Sequence, residues 1–435
     1  MPPSCGNVIG NLTFVAQRNF PMTIKTILSG ALLFTLAFAQ TSRAQNSTSP
    51  VSTKTAPNAL VLPDGFSSSI VFEGLPGARH LAVTKQGGIY VKLSKLKDGK
   101  GIIYLKSSGT DGKLVQAAAF GNFPGTEVSI KNDYLYTSSN DDVYRYKLDK
   151  NGEVINPNEP EKIIVGLVNR NRDNAKTFAF DNNENIYVNV GSYLGSCLVD
   201  PKSRVAPNPC PLLDSVGGVW QFKTNKTNQT YSDAVHYATG FKHAVGIDWN
   251  TKSNSLFIMQ HGRDQLNDLY PAMFTADQNN MIPAETMYEV KKGADGGWPY
   301  VYYDHFQHKQ ILAPEYGGDG KKEGIKKYQE PSVTFPAHLA PNDLMFYTAS
   351  QFPAKYRNGA FVAFHGKSPE LKKGYLVGFV PFKNGKPSGD WEIFADNFSS
   401  DQDVHKPCGL AMGPDGSLYV SDDVKGNIYQ IKYGK

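Results

Sequence analysis

The stretch GFKHAVGIDWNTKSNSLFIMQHGRDQ, residues 240–265, carries Lys242 and His243 at its start and His261, Arg263 and Asp264 at its end. Between these ends Val245, Ile247 and Trp249 alternate with other residues, and SLFIM forms a second apolar run, the pattern of two strands joined by a turn. Five ionisable groups at one end of a hairpin exceed what a turn requires. Ammonium, guanidinium, imidazole and carboxylate groups in one place can bind an anion, relay a proton or offer oxygens to a hard cation. The same polarity recurs at Arg79-His80, Asp173 to Lys176, His338, His365 to Lys367, Lys406 and Asp422-Asp423.

Something must bring these scattered groups together, and a repeat in the sequence provides it. Alternating apolar residues, a turn and an apolar-aromatic-apolar triplet recur as HLAVTKQGGIYV, VSIKNDYLYT, FAFDNNENIYVNVGS, VGIDWNTKSNSLFIM and LAMGPDGSLYVSDD, with a looser copy at GAFVAFHGK. The anchoring aromatics are Tyr90, Tyr136, Tyr187, Phe257, Phe361 and Tyr419, spaced by 46, 51, 70, 104 and 58 residues. Period-two hairpins at such intervals fit the blades of a β-propeller. Six phrases predict an all-β, six-bladed β-propeller over residues 60–435, with loop insertions on one face, chiefly residues 265–335. The residues before the first strand and after the second of each phrase then share one end of the ring, around the mouth of a central channel. A two-sheet sandwich is the alternative, and the recurring unit argues against it.

Composition bounds the rest. The 435 residues are 40% hydrophobic and 20% charged, with 41 Gly, 27 Pro, 23 Tyr and 24 Phe, which is a turn-rich globular chain. A net charge of +5 without a basic stripe gives no nucleic-acid footprint. Residues 1–21 read as an upstream extension and 22–44 as a secretory signal peptide: Lys25, an apolar run from Ile27 to Phe38, then small-residue cleavage patterns. That run is short for a membrane span, so no membrane anchor is expected. Residues 45–59 read as a flexible polar linker, and the protein is expected to be periplasmic or secreted. In an oxidising compartment Cys197 and Cys210, flanking a proline-rich loop, are expected to form a disulfide, leaving Cys408 unpaired. No C-x-x-C-H haem motif is present.

Six motifs, GFKHAVGIDW, HGRDQLND, GADGGWPYV, FYTASQFPAKYRNGAFVAFHG, GYLVGFVPFKNGKP and CGLAMGPDGSLYVSDDVKGNIYQIKY, occur in an order that resembles the soluble quinoprotein glucose and sorbosone dehydrogenase family, including its pyranose dehydrogenase propellers. The resemblance implies an exported dehydrogenase dependent on pyrroloquinoline quinone and Ca²⁺. Such an enzyme oxidises an aldose or sugar aldehyde by hydride transfer to the quinone and passes the electrons to a separate acceptor, a cytochrome or a quinone.

By resemblance, Lys242 and His243 stand where the family has an Arg-Asn pair over the cofactor, and the backbone carbonyls of Gly262 and Arg263 stand where calcium is held. Lys367 and Lys406 are expected at cofactor carboxylates, and His338 and Asp422 or Asp423 at the rim. The family's basic H-W-T-R-N-L pattern meets DNAKTF here, which places Asp173 at the general base and Lys176 at the basic position. A carboxylate is a weaker base than an imidazole unless burial raises its pKa, and lysine keeps arginine's charge without its bidentate fork. These departures motivate a second expectation, a non-catalytic carbohydrate-binding propeller, with the aromatic cluster at Trp298, Tyr300, Tyr302 and Tyr303 as its stacking surface. A calcium-dependent lactonase-type propeller, with Asp173, Asp264 and Asp422 as oxygen ligands, is the third.

Overall fold

Each alternating phrase folds into strands of one antiparallel sheet of four strands, to which blade 3 adds a short fifth, Ala294–Asp295, paired parallel, and the six sheets form the blades of a β-propeller. The computed structural model of the chain describes residues 59–109, 112–170, 172–200 and 202–434; the upstream extension, the signal peptide and nearly all of the linker lie outside them. The innermost strands are Ala78–Val83, Val128–Lys131, Phe178–Phe180, Ala244–Asn250, Pro341–Phe346 and Pro407–Met412, for blades 1 to 6 in order. The second strands are Ile89–Lys97, Tyr134–Ser138, Asn185–Val190, Ser255–Gln260, Ala360–Ser368 and Leu418–Asp422. Phe66–Phe72, the first strand among the described residues, pairs antiparallel with Ile428–Tyr433 in blade 6, so the two ends of the propeller sequence close the ring together.

All six anchoring aromatics lie in second strands and are buried. Their spacing works because every second strand presents its aromatic to the neighbouring blade: Tyr136 meets Phe180 at 4.8 Å, Tyr187 stacks on Trp249 at 5.3 Å and Phe257 meets Phe346 at 5.2 Å. Burying one such ring contributes about 1.5–3 kcal/mol, so the core lies between the blades. Polar side chains stitch the inner strands across the same boundaries. Asp248 accepts from the Phe346 amide at 2.8 Å, Asp343 from the Leu410 amide at 2.7 Å, and Thr177 donates to the Ala244 carbonyl at 3.1 Å.

The large spacings hold excursions. Cys197 and Cys210 are joined by a disulfide, Cα to Cα 6.1 Å, within the loop between the second and third strands of blade 3. Residues 261–284 of blade 4 carry the short helices Leu266–Leu269 and Ala276–Met281, and residues 291–332 add the hairpin Val301–Asp304 with Lys309–Leu312. The two excursions meet the disulfide loop: the Tyr270 hydroxyl of the first donates to the Arg204 carbonyl at 3.0 Å, and in the second the Trp298 indole donates to the Gly195 carbonyl at 3.1 Å and the Glu315 carbonyl accepts the Ala206 amide at 3.1 Å.

Candidate active site at the propeller mouth

The mouth is built from the starts of inner strands and the ends of second strands. At blades 3 and 4 this brings Asp173, Lys242, His243, His261, Gly262 and Asp264 together. The Lys242 ammonium lies 3.0 Å from Asp264 Oδ2 and 3.3 Å from the Gly262 carbonyl. Arg172, in the loop leading into blade 3, reaches the same Asp264 oxygen at 3.1 Å and lies 3.7 Å from Asp173 Oδ2. Burial raises the Asp264 pKa, but Lys242 and Arg172 outweigh it and hold the carboxylate below its usual range.

His243 is the centre of this group. Its Nε2 lies 3.9 Å from Asp173 Oδ1, its ring meets His261 edge to face at 5.1 Å, and its buried Nδ1 has no hydrogen-bond partner. Burial, followed by the charges of Lys242, Lys176, Arg79 and Arg172, pushes its pKa down to about 3. The imidazole is therefore neutral at any physiological pH. Asp173 occupies left-handed backbone, φ 52°, which aspartate tolerates better than most residues, and its Oδ2 is also buried and unpartnered. Gly191, ending the second strand of blade 3, leaves room for these groups, since a Cβ there would stand 2.3 Å from His243 Nδ1.

The remaining expected residues divide. Lys176 is fully buried behind His243, donates to the Asn174 carbonyl at 2.9 Å and is held near 8 by burial. Arg263 turns its side chain away from the mouth to Glu315 at 2.7 Å. Glu285 receives the Gly262 amide at 2.8 Å and the Ala340 amide at 3.3 Å; burial raises it to about 7. His338, at φ 64° in the approach to blade 5, points to the Asn279 carbonyl at 3.3 Å.

Around blades 5, 6 and 1, Asp423 binds Arg79 at 3.0 Å and His365 at 2.8 Å, and Asp423, His365 and Lys406 line a hollow of about 740 Å³. Asp422 does not face the rim. Its buried carboxylate binds His405 at 2.6 Å and accepts the Lys406, Val424 and Lys425 amides, so its neighbour Asp423 is the rim carboxylate. Lys367 is exposed over a separate hollow with Lys372 and Tyr375.

Sequence reasoning missed Arg172, Gly191, Glu285 and Glu315 as site residues. The first two sit at strand ends equivalent to those singled out elsewhere, and that equivalence was the available signal. The two glutamates act across separate segments and leave no local signature.

Below the mouth the inner strands enclose a channel of about 310 Å³ lined by His80, Glu127, Asp248 and Asp343 among others. His80 Nδ1 binds Glu127 at 2.8 Å and its Nε2 the Asn342 carbonyl at 2.8 Å. Burial opposes its protonation, but Asp343 and Glu127 prevail and raise it to about 9.

The family sequence model described as TrAA12-like matches residues 60–434, the whole propeller. The chain belongs to the TrAA12-like family. A pyrroloquinoline quinone-dependent sugar dehydrogenase of Hypocrea jecorina (strain QM6a) is 22% identical over 430 residues, covering 89% of this chain and 93% of that enzyme. An uncharacterised protein of Borreliella burgdorferi is 27% identical over 202 residues, 46% of this chain and 48% of that protein, so this chain spans about half the length of that relative. Among solved structures, the calcium structure of a Trichoderma reesei carbohydrate-active enzyme of family AA12 superposes with a TM-score of 0.69 at 17% identity, covering 88% of this chain and 99% of that one, a likeness of fold.

Proposed function

We propose that the protein is an exported quinoprotein dehydrogenase that oxidises an aldose or a sugar aldehyde. Besides family membership, one observation carries this reading: a buried, unpartnered imidazole at the focus of four cations. Arg79, Arg172, Lys176, Lys242 and Lys406 outnumber the carboxylates Asp173, Asp264 and Asp423 around the mouth. Such a set suits a ligand that brings several negative charges of its own, and pyrroloquinoline quinone has three carboxylates. The donors therefore fit the cofactor: Lys242, Arg172, Arg79 and Lys406 would hold its carboxylates, with Lys176 adding charge from behind. When bound, it supplies the two-electron acceptor that aldose oxidation requires.

The chain's own residues handle the proton. Asp173 Oδ2, which accepts no hydrogen bond, takes the proton of the sugar hydroxyl and releases it to solvent, while neutral His243 lies 3.9 Å from the other oxygen and adds no charge beside the base. His243 thus returns an imidazole to the mouth from the neighbouring blade, where the resemblance leads one to expect it at position 173. The oxygens of Gly262, Arg263, Asp264 and Asp173 suit a hard cation such as Ca²⁺. The Lys242 ammonium stands on two of these groups, Gly262 and Asp264, and would have to leave them for a cation to be held there. Electrons leave to a separate acceptor, since the chain has no haem motif of its own.

The test is dye reduction by the purified mature protein with pyrroloquinoline quinone, Ca²⁺ and a panel of aldoses. Substrate-dependent reduction is the expected result. Quinone binding without turnover on any aldose or sugar aldehyde sinks the dehydrogenase reading and leaves the carbohydrate-binding alternative.

A further inference from the structure

We propose that a tyrosine-lined cleft, formed where the blade 4 excursion meets the disulfide loop, is a second saccharide-binding site, distinct from the redox mouth. The cleft encloses about 740 Å³, within the ~300–1,000 Å³ of small-molecule sites. Tyr300, Tyr316 and Tyr328 form its aromatic wall. Tyr316 packs on Tyr300 at 4.8 Å, and the Tyr328 ring runs parallel to Tyr300, 6° between planes and 6.4 Å between centroids. That gap is too narrow to admit a ring between them, so they offer a platform and not a clamp.

The platform is built in advance. The Tyr300 hydroxyl accepts the Cys210 amide at 2.9 Å and the Tyr316 hydroxyl donates to the Pro207 carbonyl at 3.3 Å, both on the disulfide loop. Tyr328 makes no comparable bond and leaves its ring half-buried at the opening. At the lips stand Ile325 and Val205, 86% and 73% exposed, the two most exposed large aliphatic residues among those described.

A second, independent observation gives the cleft a polar floor. Glu315 lines it with a side chain that is 0% exposed; one oxygen binds Arg263 at 2.7 Å, while Oε2 has no partner. Arg263 Nε and Nη2 are equally buried and unpartnered, and the Tyr270 hydroxyl, which donates to the Arg204 carbonyl at 3.0 Å, also lies in hydrogen-bonding reach of Glu315. A buried ion pair with unused donors and acceptors costs free energy unless a ligand completes it. Aromatic faces beside a carboxylate–guanidinium pair match a neutral sugar, which presents an apolar C–H face to the rings and hydroxyls that both donate and accept. Arg263, which holds the floor carboxylate Glu315 from outside the cleft lining, directly follows Gly262 at the mouth.

The site does not depend on redox chemistry, so it is tested on cofactor-free protein by calorimetry and saturation-transfer NMR. The probes are cellotetraose, xylotetraose and maltotetraose. Saturable binding of at least one is expected. Tyr328→Ala should weaken it at least tenfold, and Ile325→Ser, at a largely exposed position, by twofold to fivefold, with unchanged circular dichroism. Phe306→Ala, an exposed aromatic outside the cleft, should bind as wild type. Absence of saturable binding by the wild type, or wild-type affinity in Tyr328→Ala, overturns the proposal. Failure of the dehydrogenase reading would appear separately, as absent turnover with this binding intact.

Discussion

His243 at the mouth and His80 in the channel are both buried imidazoles beside carboxylates, yet their pKa values move in opposite directions. Burial and four neighbouring cations hold His243 near 3, whereas Asp343 and Glu127 overcome burial and hold His80 near 9. Their bonding differs in the same sense. Both His80 nitrogens are engaged, and Asp343 and Asp248 each receive two backbone amides. At the mouth His243 Nδ1, Asp173 Oδ2 and Arg79 Nε have no partner. A saturated polar cluster closes a ring; an unsaturated one with excess positive charge is arranged for a ligand.

This contrast can be broken at either end. Asp173→Ala should have the largest effect, a loss of turnover of about 10³-fold or more, with quinone affinity retained. Dye-linked assays beside a cofactor titration check this, and unchanged activity would remove Asp173 from the mechanism. Asp343→Ala should do the opposite. It leaves two buried amides without an acceptor and His80 with Glu127 as its remaining carboxylate, costing about 3 kcal/mol in urea unfolding while the quinone affinity of the folded protein stays the same. Gly191→Ala, driving a methyl against His243 and the Asp173 carbonyl, should lower turnover about 100-fold and cost about 1–3 kcal/mol of stability.

The smallest effect is on pH dependence. His80 is raised from 6.5 to about 9, so its stabilisation is complete below pH 6.5 and lost as pH rises through 9. His243 is lowered from 6.5 to about 3, so the fold binds fewer protons than the unfolded chain there and loses stability as pH falls from 6.5 toward 3. Each limb should amount to roughly 2 kcal/mol, allowing for coupling below the ~1.4 kcal/mol per pKa unit. Melting temperatures across pH should show His80→Gln flattening the alkaline limb and His243→Asn the acid one.

The blades were legible because their signals are local: a turn, a period of two and an aromatic that must face the next blade. Strands without such a local signal escaped, two of them for plain reasons. Pro341–Phe346 is separated from its partner by the long loop 347–359, and Phe66–Phe72 pairs with the far end of the chain. In the site, equivalent strand ends revealed Lys242, His243 and Asp173. They did not reveal orientation: Asp422 turns inward because three amides and His405 claim its carboxylate, and Arg263 turns outward because Glu315 lies across the excursion. Which of two adjacent carboxylates faces the rim is decided by tertiary hydrogen bonds that no short window contains.

The central claim, that the unsaturated cationic mouth receives the quinone, is tested most directly by absorbance titration of pyrroloquinoline quinone into the mature protein with Ca²⁺. The wild type should bind one equivalent saturably, and Arg79→Met combined with Lys242→Met should weaken binding at least 30-fold while Asp343→Ala leaves it unchanged. A wild type that shows no saturable binding, or a double variant that binds as the wild type does, would contradict the account.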